Sequence, residues 1–293
     1  MDDRSELLAV ARSAYQRKEW LTSYESFSRV DAVQPLDTED LAVFAAAAWR
    51  QGHGSESVRI NEQVHTRLLR TDPVLAAMKA TELGLAWLAR GHVSLARNWA
   101  QRAAVLLQGV PEASAHGYLT YLTAVTTADD GVDSALPAAA AEVARIAEHV
   151  DDVALAILAR VLDGVAAVSA DDAAGYRTLD DVLLPMLDER VPVEWAGDVY
   201  RRVLTLPQPR TDGARLRSWT QSMQQWCETT QPETPHAAYR AICDVHRLAA
   251  QQMVDRAELM RRGVDLRRLV AEVDAVATAM AEGLLARGMG RTG

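Results

Sequence analysis

Apolar residues recur every three or four positions through most of the chain, in short runs that end at polar or glycine-bearing breaks. From Thr81 to Ala103, Leu83, Gly84, Trp87 and Leu88 share one helical face. Leu95, Ala96, Trp99, Ala100 and Ala103 share another, with Gly91 and His92 between the two runs. Neither run is long enough to bury its stripe alone, and the break is a tight turn. The unit is therefore expected to be an antiparallel helix pair, with small residues where the helices touch. The chain opens in the same way. Leu7, Val10, Ala11 and Ala14 form an expected inner stripe, Lys18 and Glu19 turn the chain, and Trp20, Ser23, Tyr24, Phe27 and Val30 form the facing stripe up to Pro35. Leu41, Phe44, Ala45 and Ala48, then Ser57, Val58, Ile60 and Val64 beyond Gly52-His53-Gly54, make the next pair. Ser23 and Ser57 hold the same place 34 residues apart, and Ala96 follows 39 residues later across a longer connection opened by Asp72 and Pro73.

Beyond Pro111 the pattern is looser. Gly117–Ala128 with Ser134–Val150 fits a fourth pair, with Ala135 at the small position. Asp151–Ser169 with Asp171–Leu187 fits a fifth, with Gly175 there. Pro192 to Leu206 and Arg215 to Thr229 read as a sixth. Pro235 opens a seventh first helix, and the segment after Asp255 reads as a C-terminal capping helix. The expected fold is all-α, one continuous solenoid of about seven helix pairs wound right-handed. Residues 1–108 hold three well-matched repeats, 109–232 degenerate ones, and 233–293 the last repeat with its cap.

A helix–turn–helix unit of about 34 residues, with these small, aromatic and proline positions, resembles the tetratricopeptide repeat (TPR). The stretch AYQRKEWLTSYESFSRVDAVQPLDTEDLAVFAAAAWRQGHGSESV further resembles the opening of the TPR region in large actinobacterial LuxR-type transcriptional regulators. VPVEWAGDVYRRVL, RLRSWTQSMQQWCE and YRAICDVHR are similar to distal repeats of that region, in the same order. The resemblance implies a sensing or interaction module. It does not carry over DNA binding, because nothing after Gly263 looks like the helix-turn-helix of those regulators and no other output domain is recognisable.

Composition narrows the chemistry. Ala, Leu and Val dominate, which favours helix and close helix contact. The net charge of −9 argues against sequence-independent nucleic-acid binding. Two cysteines, no apolar run long enough to span a membrane and an acidic start (MDDRSELL) point to a cytoplasmic protein with no membrane contact. No metal-ligand spacing, P-loop or nucleophile elbow appears, so neither cofactor, metal nor catalytic residue is expected. The paired acids at Asp129-Asp130, Asp151-Asp152, Asp171-Asp172 and Asp180-Asp181 sit mostly at turns and helix starts, where carboxylates cap.

Two functions remain. In the first, first helices line a concave groove for a protein or peptide partner, exposing Arg12, Tyr15, Gln16, Trp49, Arg50, Thr81, Leu85 and Leu88, with Arg160 and His246 further along. Arg and aromatic groups there suit a segment bearing a carboxylate. In the second, Trp87, Tyr118, Tyr121, Trp195, Trp219 and Trp226 wall a cavity for a small hydrophobic ligand, as in a sensor or an enzyme of specialised metabolism. Leu7 and Val10, at the edge unit, leave a surface for homodimer formation.

Overall fold

The computed structural model describes residues 2–129, 133–187, 190–206, 213–230 and 281–282. Its helices are α1 (Asp2–Gln16), α2 (Trp20–Val33), α3 (Thr38–Arg50), α4 (Gly54–Leu68), α5 (Pro73–Ala89) and α6 (Val93–Leu106). They continue with α7 (Ser114–Asp129), α8 (Leu136–Val150), α9 (Val153–Ser169), α10 (Ala174–Leu187), α11 (Val193–Thr205) and α12 (Gly213–Thr230). A 3-10 turn, Asp133–Ala135, precedes α8. No strand occurs among the described residues. The expected seventh pair and capping helix lie largely outside the described residues.

Consecutive helices pair as α1/α2, α3/α4, α5/α6, α7/α8 and α9/α10, and each pair packs on the next. First helices also touch across pairs, α1 on α3, α5 on α7 and α7 on α9. The result is an all-α, TPR-like solenoid in which each unit rests on its neighbours.

The repeat is visible at the level of single hydrogen bonds. Ser23 Oγ donates to the Ala11 carbonyl at 3.0 Å, and Ser57 Oγ donates to the Ala45 carbonyl at 2.8 Å. Both hydroxyls are buried, and both bonds join the two helices of one pair. A small hydroxyl side chain admits the opposite backbone and also gives a helix carbonyl a second donor. In the third pair Gly84 holds the place of Ala11 and Ala45. A Cβ there would stand 2.6 Å from Leu122 Cδ2 and 3.3 Å from the Ala96 carbonyl. The closest approach is in the fifth pair, where a Cβ on Gly175 would meet the Gly164 carbonyl at 2.6 Å and the Val168 nitrogen at 2.8 Å.

Two expectations are corrected. Ala135 is exposed in the 3-10 turn before α8, and the buried face of α8 is formed by Ala140, Val143 and Ile146. Val10 is 39% exposed and Leu8 takes its place, so the inner face of α1 is Leu8, Ala11 and Ala14 with Leu7 packed at its side. The edge unit has no preceding second helix for Val10 to meet among the described residues.

Turns and caps follow local chemistry. Lys18, Gly52 and Gly91 end first helices with φ of 62°, 81° and 79°, the left-handed conformation that stops a helix. The Asp72 carboxylate accepts from Val74 and Leu75 N–H, and Asp152 accepts from Leu155 N–H. Proline at the first position of α5 sacrifices no helical donor.

Gly52→Ala meets no atom within 4 Å, so only its backbone conformation is strained, at a cost of about 1 kcal/mol. Gly175→Ala collides with backbone, which cannot rotate away, and is expected to cost roughly 3 kcal/mol. Urea unfolding followed by circular dichroism should show that order; equal losses would mean that α9 and α10 separate easily.

Candidate functional site

The sixth unit breaks the pattern, and its placement decides which part of the concave face is free. Helix α11 does not simply pair with α12 beside the stack. It lies against α5 and α9 and sends side chains onto α7, so it runs along the first helices of three successive pairs. Its residues are buried on every face, from Val193 and Trp195 through Arg201, Arg202 and Leu204. Trp195 packs on Tyr118 at 4.6 Å between ring centroids and edge-on to Tyr121 at 5.7 Å.

Charge locks this helix in place. Tyr121 Oη donates to Asp198 Oδ2 at 2.8 Å, and Arg202 Nε donates to the same oxygen at 2.8 Å. Arg201 Nη2 donates to Asp198 Oδ1 at 2.7 Å, and Arg202 Nη1 reaches Asp129 Oδ1 at the end of α7 at 2.7 Å. Burial alone would raise the Asp198 carboxyl. The Arg202 and Arg201 guanidiniums outweigh it and hold the carboxyl down at about 2. Burial and the Asp198 charge push the Tyr121 phenol well above its ordinary range.

The residues expected to line an open groove therefore divide. Thr81 is fully buried and donates to the Ala77 carbonyl. Leu85 and Leu88 belong to the same buried cluster as Trp195, so the groove expected at these three is filled by the chain itself. Arg160 is remote from the first repeats; it lines a cleft of about 580 Å³ between α8 and α9 and approaches Asp181 at 3.5 Å. His246 lies outside the described residues. Arg12 faces α3, but its fork is spent: Nε and Nη2 each donate to Asp40 at 2.7 Å. Arg12 is exposed, as expected, and also ties the first two pairs together.

Tyr15, Trp49 and Arg50 come together where α1 meets α3, with Gln16 next to Tyr15 in the chain. Gln16 is exposed, and the other three are half-buried. The Arg50 guanidinium carbon stands 4.6 Å from the Trp20 ring centroid, 5.8 Å from Tyr15 and 6.0 Å from Trp49. Tyr15 meets Trp20 edge to face at 5.1 Å. A planar, weakly hydrated cation among three rings is a stable arrangement. Trp20 was expected only as core, at the start of the α2 stripe. Its ring is 5% exposed, yet it belongs to this cage.

The expected aromatic cavity is occupied by its own walls. Trp195 sits on Tyr118 and Tyr121, Trp226 on Tyr200 at 5.4 Å, and Trp219 on Tyr176 at 6.3 Å while donating Nε1–H to Asp180. Trp195, Trp219 and Trp226 are almost wholly buried. Trp87 stands apart from them, edge-on to His92 at 5.3 Å. Rings so placed stabilise the stack of units by burial.

Among the described residues no three His, Cys, Asp or Glu side chains converge to hold a metal ion, and no helix is long and apolar enough to cross a membrane.

No protein-family model matches the chain, and no curated protein does. Among solved structures it is similar to a tetratricopeptide repeat protein from Parabacteroides merdae, 15% identical over 99% of this chain and 100% of the other, with a TM-score of 0.48. It is also similar to the TPR2AB domain of yeast Sti1 in its pHSP90 complex, 13% identical over 97% and 98% of the two chains, with a TM-score of 0.33. Neither score is high enough to argue from, so the solenoid stands on its own pairing geometry.

Removing the Asp198 charge takes one of two carboxylates from the buried arginines and leaves them Asp129. Asp198→Asn is expected to lose about 3–5 kcal/mol in denaturant unfolding. Because the folded carboxyl titrates below its ordinary value of 3.8, its contribution is complete above that value and vanishes as pH falls to about 2. The gap between wild type and variant should close over the same interval; a pH-independent gap would mean that Asp198 acts through shape alone.

Proposed function

We propose that this chain is a non-catalytic interaction module that holds a protein or peptide on the concave face of its first two repeats, around Tyr15, Gln16, Trp49 and Arg50. One observation carries the reading: α11 already fills that face from α5 to α9, while the face of α1 and α3 keeps aromatic and polar side chains at its surface. Large half-exposed rings beside an arginine are the residue types that dominate binding energy at protein interfaces. The occupant is an extended or helical segment laid across α1 and α3, the mode in which first helices offer a row of side chains. The resemblance to the TPR region of LuxR-type regulators supports a regulatory setting, in transcription or signalling, for this binding in the cytoplasm. The chain's negative charge supports a protein partner over nucleic acid, and the exposed Val10 of the edge repeat supports a homodimer as a further state.

The test compares capture of partners from native lysate by wild type and Trp49→Ala. Truncating an anchoring ring costs about 2 kcal/mol, or roughly thirtyfold in affinity. A partner held by wild type and lost by the variant, with unchanged circular dichroism, is the expected result. Capture indifferent to Trp49 would sink the reading.

A further inference from the structure

Away from the concave face, the chain carries two surfaces of opposite charge and opposite shape. Helix α6 is the first. It contains Arg97 and Arg102 and no acid, in a chain whose net charge is −9. Leu95, Asn98, Arg102 and Val105 follow one another at helical spacing, so they share one face, and all four are exposed. Leu95 is 40% exposed and Val105 58% exposed, so each end of that face projects a large apolar side chain. Between them the Arg102 guanidinium stands 4.6 Å from the Trp99 ring centroid, which holds its plane. Arg102 meets no carboxylate among the described residues.

The second surface is the cleft of about 580 Å³ between α8 and α9. Exposed alanines such as Ala144 and Ala156 line it, so the two helices leave a trough that larger side chains would have filled. Glu148, Asp151 and Asp163 line it too. All three are exposed, and none makes an ion pair among the described residues. Asp152 is spent on capping α9, and Arg160 leans towards Asp181. The trough is therefore apolar along its length and acidic at its rim.

We propose that the outer face of α6 docks in the α8/α9 cleft of a second copy of this chain. Shape supports the match, because Leu95 and Val105 project where the alanines recede, as ridges enter a groove. Charge supports it as well, since Arg102 meets Glu148, Asp151 and Asp163, which have no cation of their own. Neither surface suits itself: α6 on α6 opposes arginines, and cleft on cleft opposes acids. Helices α6 and α8 are the second helices of successive pairs, so both lie away from the concave face. One two-fold axis between them lets each copy give its α6 and receive the other's, which forms both contacts at once. The contact is separate from Val10 at the edge repeat and leaves the face around Trp49 free for a partner.

Sedimentation of the full chain over a range of concentrations tests the contact. The wild type is expected to pass from monomer to dimer as concentration rises, and less readily at high salt, which screens exposed charges. Arg102→Glu sets acid against acid, and the double variant Glu148→Arg/Asp163→Arg sets arginine against arginine. Each alone is expected to lose roughly tenfold or more in dimer affinity, with unchanged circular dichroism. Mixed in equal amounts, the two variants are expected to recover a dimer. In the mixed pair one contact is native and the other has its charges exchanged. Leu95→Ala changes no charge and should weaken the dimer severalfold, even if Arg102→Glu disturbs Trp99. A mixture that stays monomeric with both variants folded, or a dimer indifferent to the charge variants, overturns the proposal. A wild type that stays monomeric also overturns it and leaves the cleft to a basic segment of another protein. Dimer loss in Val10→Asp alone overturns it in favour of the edge repeat.

Discussion

Close approach of two helix backbones at one point in the first three pairs and the fifth is the constraint on which this structure depends. A solenoid unit cannot bury its stripe unless its helices come within reach of each other, so the contact position tolerates only a small side chain. The chain meets this with serine opposite alanine in the first two pairs, alanine opposite glycine in the third, and paired glycines in the fifth. The serine version is economical, since its hydroxyl is satisfied by the carbonyl that the close approach brings near. The glycine version comes nearer still, but leaves the backbone there without a side chain to pack. Everything else, including the register that aligns Tyr15 with Trp49, follows from repeating that contact.

The second determinant is α11. A helix with buried charge at Asp198, Arg201 and Arg202 has no place on the outside of the stack. The first helices of pairs three to five offer it an aromatic seat and one phenolic donor, and it completes its own ion network against Asp129. The chain therefore treats its own concave face in two ways. One part is a core, closed by a helix of the same molecule. The other is a surface, lined with rings and an arginine held among them.

Much of this was legible in the sequence, and the rest was hidden for definable reasons. The helix pairs, the 34-residue spacing of Ser23 and Ser57, and the caps at Asp72 and Asp152 are local features, written within one unit. The grouping of Tyr15, Trp49 and Arg50 also followed, because register carries from one repeat to the next. Whether Arg12 is free depends on Asp40, 28 residues away across the boundary between pairs, and no periodicity reports that bond. Trp20 looked like an ordinary member of the α2 stripe, because an unsatisfied indole N–H has no signature in sequence. The filling of the groove at Leu85 and Leu88 was hidden for a similar reason, since VEWAGDVYRRVL reads as any amphipathic helix until its neighbours are known.

The buried side chains form separate clusters, and the first two repeats share one that does not extend into the rest. Cohesion is consequently uneven along the solenoid. From α5 onward, α11 fastens several units into one block that must open together. The first two repeats share their own cluster and join the third through Val58, which packs with Ala77, Ala80 and Leu83, and through His65 on the Ala76 carbonyl and on Trp99. Units that no third helix fastens open locally at less cost than the α11-fastened block. A partner seated there would act as a splint, binding a surface and also quieting the fluctuations of the two units that form it.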